Sequence, residues 1–134
     1  MIESVRGTLL ENRGVLAVVE CAGVGYGLHV SLPTSSLLPS IGNEVFLYAH
    51  LQVREDAMEL FGFSTLPEKE MFRMLIQVSG IGPRMALRLL SECAPQELAQ
   101  LILQDNIIGL TKLKGIGKKT ALRLVLHLLK QCHK

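Results

Sequence analysis

Gly80-Ile81-Gly82-Pro83-Arg84 and Gly115-Ile116-Gly117-Lys118-Lys119 repeat one pattern 35 residues apart, and each leads into an apolar helical stretch with basic residues nearby. Met71-Phe72-Arg73-Met74-Leu75-Ile76-Gln77-Val78-Ser79 precedes the first turn, and Ile107-Ile108-Gly109-Leu110-Thr111-Lys112-Leu113-Lys114 precedes the second. The stretches that follow also match, Met85-Ala86-Leu87-Arg88-Leu89-Leu90 against Thr120-Ala121-Leu122-Arg123-Leu124-Val125, with Arg88 and Arg123 at equivalent places. Each unit therefore reads as apolar helix, glycine turn, apolar helix, and the two form an internal duplication.

Glycine accepts positive φ and lets the backbone approach a ligand closely, so a Gly-x-Gly turn before a helix presents N–H groups at the helix N-terminus. Such an end favours anions, and Pro83 suits a first helical turn because its missing N–H costs nothing there. Gly80, Gly82 and Arg84 in the first turn, and Gly115, Gly117, Lys118 and Lys119 in the second, are candidate phosphate-binding residues. Lys112 and Lys114 flank Leu113 just before the second turn and read either as surface lysines or as further neutralising charge. Ser79 either ends its helix or donates to the same ligand. None of these groups reads a base edge, so the expected contact with nucleic acid is sequence-independent and salt-sensitive. A single Gly-x-Gly is equally an ordinary helix–helix turn, and a duplicated hairpin that only packs is the plain alternative.

The 134 residues, 49% apolar, suffice for one ordinary domain or two small ones. The net charge of +2 hides an asymmetry: residues 1–66 carry three arginines against seven acids, and residues 67–134 carry eleven Lys/Arg against five acids. The basic part is the one expected to adjoin a polyanion. Cys21, Cys93 and Cys132 are odd in number and widely spaced, and His29, His50, His127 and His133 form no cluster, so neither a disulfide framework nor a metal site is expected. No leader pattern opens the chain and no apolar span reaches membrane length, so a cytoplasmic protein without metal or cofactor is expected.

The fold class expected is α+β in two domains, residues 1–64 and 65–134. Short apolar runs broken by turn formers predict strands at Ile2 to Glu11, Val15 to Cys21, Gly25 to Ser31, Glu44 to Arg54 and Met58 to Phe63. Gly23, Gly25 and Gly27 suggest a tightly coiled strand or a close backbone crossing, and Pro33-Thr34-Ser35-Ser36 a short helical turn. Five coiled strands in so short a span fit a partly open barrel of the oligonucleotide/oligosaccharide-binding (OB) type. Tyr26, Phe46, Tyr48, Phe61 and Phe63 lie on apolar strands and are expected in the core rather than as stacking platforms. Arg54-Glu55-Asp56-Ala57 falls at a hairpin tip. Glu55 and Asp56 are either solvated turn residues or negative charge held close to DNA, where they repel phosphates and keep duplex arms apart. No further carboxylates stand near enough in sequence for divalent-metal catalysis.

The second part reads as all helical, with helices at about Pro67 to Val78, Arg84 to Cys93, Pro95 to Ile102, a short one through Leu110 capped by Asp105 or Asn106, and Lys118 to Leu129. Thr65 and Glu68 resemble a capping pair, and Leu87, Leu90, Leu122, Val125 and Leu129 are expected core.

The paired turns at 80–84 and 115–119, with Val5-Arg6-Gly7-Thr8-Leu9, Gly23-Val24-Gly25-Tyr26 and Val53-Arg54-Glu55-Asp56 leading to Leu60-Phe61-Gly62-Phe63, closely resemble the bacterial RuvA family of Holliday junction branch migration proteins. The resemblance covers nearly the whole chain. It implies an N-terminal OB-fold barrel and tandem helix-hairpin-helix motifs, a flat homotetramer, two of which can sandwich the DNA, and a four-way junction held open on its basic face. By the same resemblance Glu55 and Asp56 form an acidic pin at the crossover, the RuvB ATPase supplies the motor and the RuvC nuclease can resolve the junction. The chain has no Walker phosphate loop, which agrees with a non-catalytic subunit. In that family a linker and a three-helix domain that touches the motor usually follow the second hairpin; the sequence stops at Lys134, so that contact domain is expected to be absent from it. Against the DNA-binding reading stand two others: a junction nuclease, which needs a carboxylate cluster, and an architectural adaptor that binds only protein.

Overall fold

The computed structural model describes residues 1–132, apart from the side chain of Cys132. His133 and Lys134, with their share of the cysteine and histidine reading, lie outside the described residues. The described residues form strands β1 (Ser4–Asn12), β2 (Leu16–Cys21), β3 (Val24–Val30), β4 (Glu44–Arg54) and β5 (Ala57–Phe63), and helices α1 (Leu32–Ser36), α2 (Leu66–Leu75), α3 (Pro83–Glu92), α4 (Pro95–Leu103), α5 (Ile107–Thr111) and α6 (Lys118–Cys132). The chain divides into two compact units, Met1–Lys69 and Glu70–Lys134, the division falling inside α2.

In the first unit the strands close into a barrel in the order β1-β2-β3-β5-β4, complete rather than partly open. Closure comes from two long-range pairings, β1 antiparallel to β4 and β3 parallel to β5. Alternate residues fill the interior: Val5 and Leu9, Ala17 and Val19, Leu28 and Val30, Val45, Leu47 and Ala49, and Leu60. This is the period of two that a pleated strand imposes, and each large aliphatic buried there contributes about 1.5–3 kcal/mol. Ala22 and Gly23, both at positive φ, make the tight turn between β2 and β3. Gly25 and Gly27 do not mark a close crossing, since a Cβ at either would meet only ordinary contacts at 3.6 and 3.7 Å. The close approach is instead at Gly7, where a Cβ would overlap the Glu20 carbonyl oxygen.

The aromatics divide. Phe61 and Phe63 are fully buried, as expected, but Phe46 lies on the barrel exterior with the Arg6 guanidinium 5.0 Å from its ring centre. Its strand register explains this, because the neighbours Val45 and Leu47 take the inward positions.

The short helix α1 is capped by Ser31, whose Oγ accepts from Thr34 N at 3.2 Å. Ser31 Oγ and Thr34 Oγ1 in turn donate to the buried Glu68 carboxylate at 2.7 and 2.5 Å. Thr65 Oγ1 accepts from Glu68 N, as a capping residue should, but the Glu68 side chain does not return to complete the box. Two hydroxyl donors in a buried setting hold it more strongly than an exposed N–H would.

In the second unit, α2 stops at Leu75 rather than Val78, because the chain tightens into i→i+3 bonds, Gln77 N to Met74 O at 3.2 Å and Val78 N to Leu75 O at 3.1 Å. Asn106, not Asp105, caps α5: its Oδ1 accepts from Gly109 N at 2.9 Å. Leu89, Leu90, Leu98, Ile102, Leu110, Ala121, Leu124 and Val125 are buried together with both turn isoleucines. Leu122 and Leu129 are not core. They are 44% and 48% exposed, since Ala121, Leu124 and Val125 define the buried face of α6 and positions 122, 126 and 129 lie on the next face round.

Candidate nucleic-acid interface

The two glycine turns have the same backbone. Gly80 and Gly115 sit at φ +99° and +90°, a region that strains any residue with a Cβ. Each following isoleucine donates its N–H back across the turn, Ile81 to Val78 O and Ile116 to Leu113 O, both at 3.1 Å. Both isoleucine side chains are only 4% exposed, so each turn is pinned to the core by a single apolar plug. The helix then starts: Ala86 N bonds Gly82 O at 2.9 Å, and Ala121 N bonds Gly117 O at 3.0 Å. The first-turn N–H groups of α3 and α6 consequently point out of the helix end, where the macrodipole favours negative charge.

Gly82 and Gly117 differ from the glycines before them. Gly82 has an ordinary extended conformation, φ −89° and ψ 172°. At neither position would a Cβ meet any atom within 4 Å. The packing of the chain does not require glycine at these two places.

The hairpins also hold each other. A Cβ on Gly80 would lie 3.6 Å from Thr120 Oγ1 and Arg123 Nη1, while one on Gly115 would lie 2.7 Å from Arg88 Nη2 and 3.3 Å from Met85 Cε. Met85 and Thr120, and Arg88 and Arg123, are equivalent residues of the duplication, so each turn rests against the start of the other hairpin's second helix. Arg123 Nη1 donates to Ser79 O at 3.3 Å, and Lys114 N donates to the Glu92 carboxylate at 3.2 Å. The exchange places both turns, and the N-termini of α3 and α6, on one surface of this unit.

The side chains expected there are on the surface. Ser79, Arg84, Lys112, Lys114, Lys118 and Lys119 are exposed, as are Gly80, Gly82, Gly115 and Gly117. Arg88 and Arg123 were visible in sequence only as matching positions. Their placement against the opposite turn adds two guanidinium groups to this surface, and a shallow groove lined by Ser79, Arg123, His127 and Lys130 adjoins it. One acid, Glu92, stands among the cations through its bond to Lys114.

Glu55 and Asp56 form the two-residue turn of the β4–β5 hairpin, closed by the pair Arg54↔Ala57, and both are exposed. Arg54 reaches Glu59 at 3.4 Å rather than either tip acid. Among the described residues no three His, Cys, Asp or Glu side chains converge as metal ligands, and no helix is long and apolar enough to cross a membrane.

Residues 1–62 match the family model described as RuvA N terminal domain, and residues 72–130 match SAM-like Helix-hairpin-helix tandem. The chain is 47% identical over 128 residues to the Holliday junction branch migration complex subunit RuvA of Acidobacterium capsulatum, covering 96% of this chain and 65% of that protein. To the proteins of the same description from Halorhodospira halophila and Geobacter sulfurreducens it is 48% and 46% identical, covering 96% and 100% of this chain and 63% and 67% of theirs. It thus spans about two thirds of the length of these relatives.

Proposed function

This chain belongs to the RuvA family, and on that premise we propose that it is a non-catalytic subunit that binds four-way DNA junctions by structure and not by sequence. The observation that carries the proposal is the pair Gly82 and Gly117, two exposed glycines at helix N-termini that the chain itself does not need. Ser79, Gly80, Gly82 and Arg84 hold one phosphate run, and Lys112, Lys114, Gly115, Gly117, Lys118 and Lys119 the other. Glu55 and Asp56 form a pin that repels phosphates at the crossover and keeps the arms apart. The functional boundary falls at residues 64 and 65, between the end of β5 and the start of α2.

Four copies assemble around the junction so that each grips one arm, and two such tetramers can enclose it. The exposed Leu122, Leu126 and Leu129 on α6 offer apolar surface for contact between copies. In the whole protein a RuvB-type ATPase moves the DNA and a RuvC-type nuclease cleaves it, in the cytoplasm, during recombination and repair.

The test is a competition between a four-way junction and a linear duplex of matched composition. We expect the junction to be bound at least about tenfold more tightly, with log affinity falling linearly in log salt. Equal affinity for the two DNAs, or affinity independent of salt, contradicts the proposal, and cleavage in magnesium without a partner revives the nuclease.

A further inference from the structure

On the β4–β5 ribbon, directly opposed residues share a face, and successive pairs alternate between faces. Ala49↔Gly62, Leu51↔Leu60 and Val53↔Met58 form one column of such pairs. Its inner members are barrel core, with Ala49 at 0% and Leu60 at 8% exposure. Its outermost pair has left the barrel, and Val53 is 57% and Met58 70% exposed. The opposite face at the same level is polar: Gln52↔Glu59, then Arg54↔Ala57, with Arg54 bridging to Glu59 at 3.4 Å. The ribbon thus keeps one apolar face beyond the point where burial explains it.

The surroundings restrict what covers that face. Glu55 and Asp56 follow Val53 within three residues and carry two negative charges at the tip. A phosphate cannot approach without meeting them, so the occupant is uncharged where it touches. Two side chains also fall far below the roughly 800 Å² per partner of a stable protein interface. A base face fits both conditions, being flat, apolar and uncharged. When a four-way junction is held open, the innermost base pair of each arm loses its stacking neighbour on one side. Apolar side chains, methionine among them, are used against such unstacked faces, and thioethers contact aromatic rings favourably.

We infer that Val53 and Met58 form an apolar wedge that lies against the unstacked face of the innermost base pairs at the crossover, beneath the acidic tip. The inference rests on the junction-binding reading above. In it the acids exclude phosphates while the wedge replaces the lost stacking, so one hairpin carries both functions.

The test uses the full chain with ¹³C-labelled methionine methyl groups, titrated to saturation with a four-way junction and, separately, with a linear duplex. A Met58→Leu variant assigns the Met58 resonance. The wedge predicts that the Met58 methyl moves upfield, by ring current, with the junction and not with the duplex, while Met85 at the start of α3 responds to both. A Met85 response with an unmoved Met58 overturns the wedge alone. If neither methyl moves and the junction remains free, the junction-binding reading fails with it. A Met58 resonance that shifts with protein concentration in the absence of DNA assigns the patch to a second copy of the chain and also overturns the wedge.

Discussion

The first and second glycine turns share a backbone but not a charge. Both place glycine at positive φ, both plug the core with isoleucine, and both open a helix at an unobstructed glycine. Around the first turn stand Pro83 and Arg84; around the second stand Lys112, Lys114, Lys118 and Lys119. Geometry was thus kept through the duplication while the electrostatics diverged. The two turns are expected to present the same N–H cradle to a phosphate run, with the second supplying most of the counterion-dependent attraction. Their packing differs too, because Gly115 is pressed against Arg88 more tightly than Gly80 is against Arg123.

The plugs test the shared part. Ile81→Ala and Ile116→Ala should each destabilise the helical unit by about 2–4 kcal/mol, as large-to-small core changes do, with comparable losses in urea unfolding. A large loss at one and none at the other would mean that the turns are not structural equivalents. Next in size, Gly80→Ala and Gly115→Ala should each cost about 1–2 kcal/mol from positive φ alone. Gly115→Ala should be the worse, because its Cβ must displace the Arg88 guanidinium at 2.7 Å.

The charges test the divergent part. Lys118→Ala with Lys119→Ala should lower the slope of log affinity against log salt by about 2, and Arg84→Ala by about 1. Equal slopes for the two variants would erase the proposed asymmetry. The smallest effect concerns Cys93, which closes α3 where the second repeat continues its helix through Leu128. Burial, then the carboxylates of Glu97 and Glu92, push its thiol above the ordinary 9.0. The folded state therefore favours the protonated thiol; that stability is fully present below pH 9.0 and is lost as pH rises through the raised native value. Unfolding midpoints of the wild type should fall more steeply than those of Cys93→Ala over that alkaline range, and parallel profiles would remove the effect.

Local features were the legible ones. Short apolar runs broken by turn formers mark the strands, and the duplication marks the paired turns, because both are written directly in the order of residues. The barrel's closure was not, since Leu28↔Leu60 joins residues far apart in the chain and no local signal specifies a parallel pairing. Leu122 and Leu129 misled because an apolar α6 does not announce which of its faces is covered. Phe46 misled in the same way, its register being set by Val45 and Leu47 on either side. Arg88 and Arg123 showed their equivalence in sequence, but not that each would reach across to the other hairpin's turn. That contact depends on how the two hairpins pack.

If the proposed junction binding is right, the exposed glycines Gly82 and Gly117 serve the DNA backbone and not the fold. Gly82→Ala combined with Gly117→Ala tests it, with urea unfolding and four-way junction affinity measured on the same protein. Open space at both positions predicts a stability change of less than about 1 kcal/mol for each capping site. Close backbone contact predicts that junction affinity falls by about tenfold or more, since each added methyl holds a phosphate away from its N–H donors. A folded double variant that binds the junction as tightly as the wild type would show that these glycines do not meet the DNA backbone.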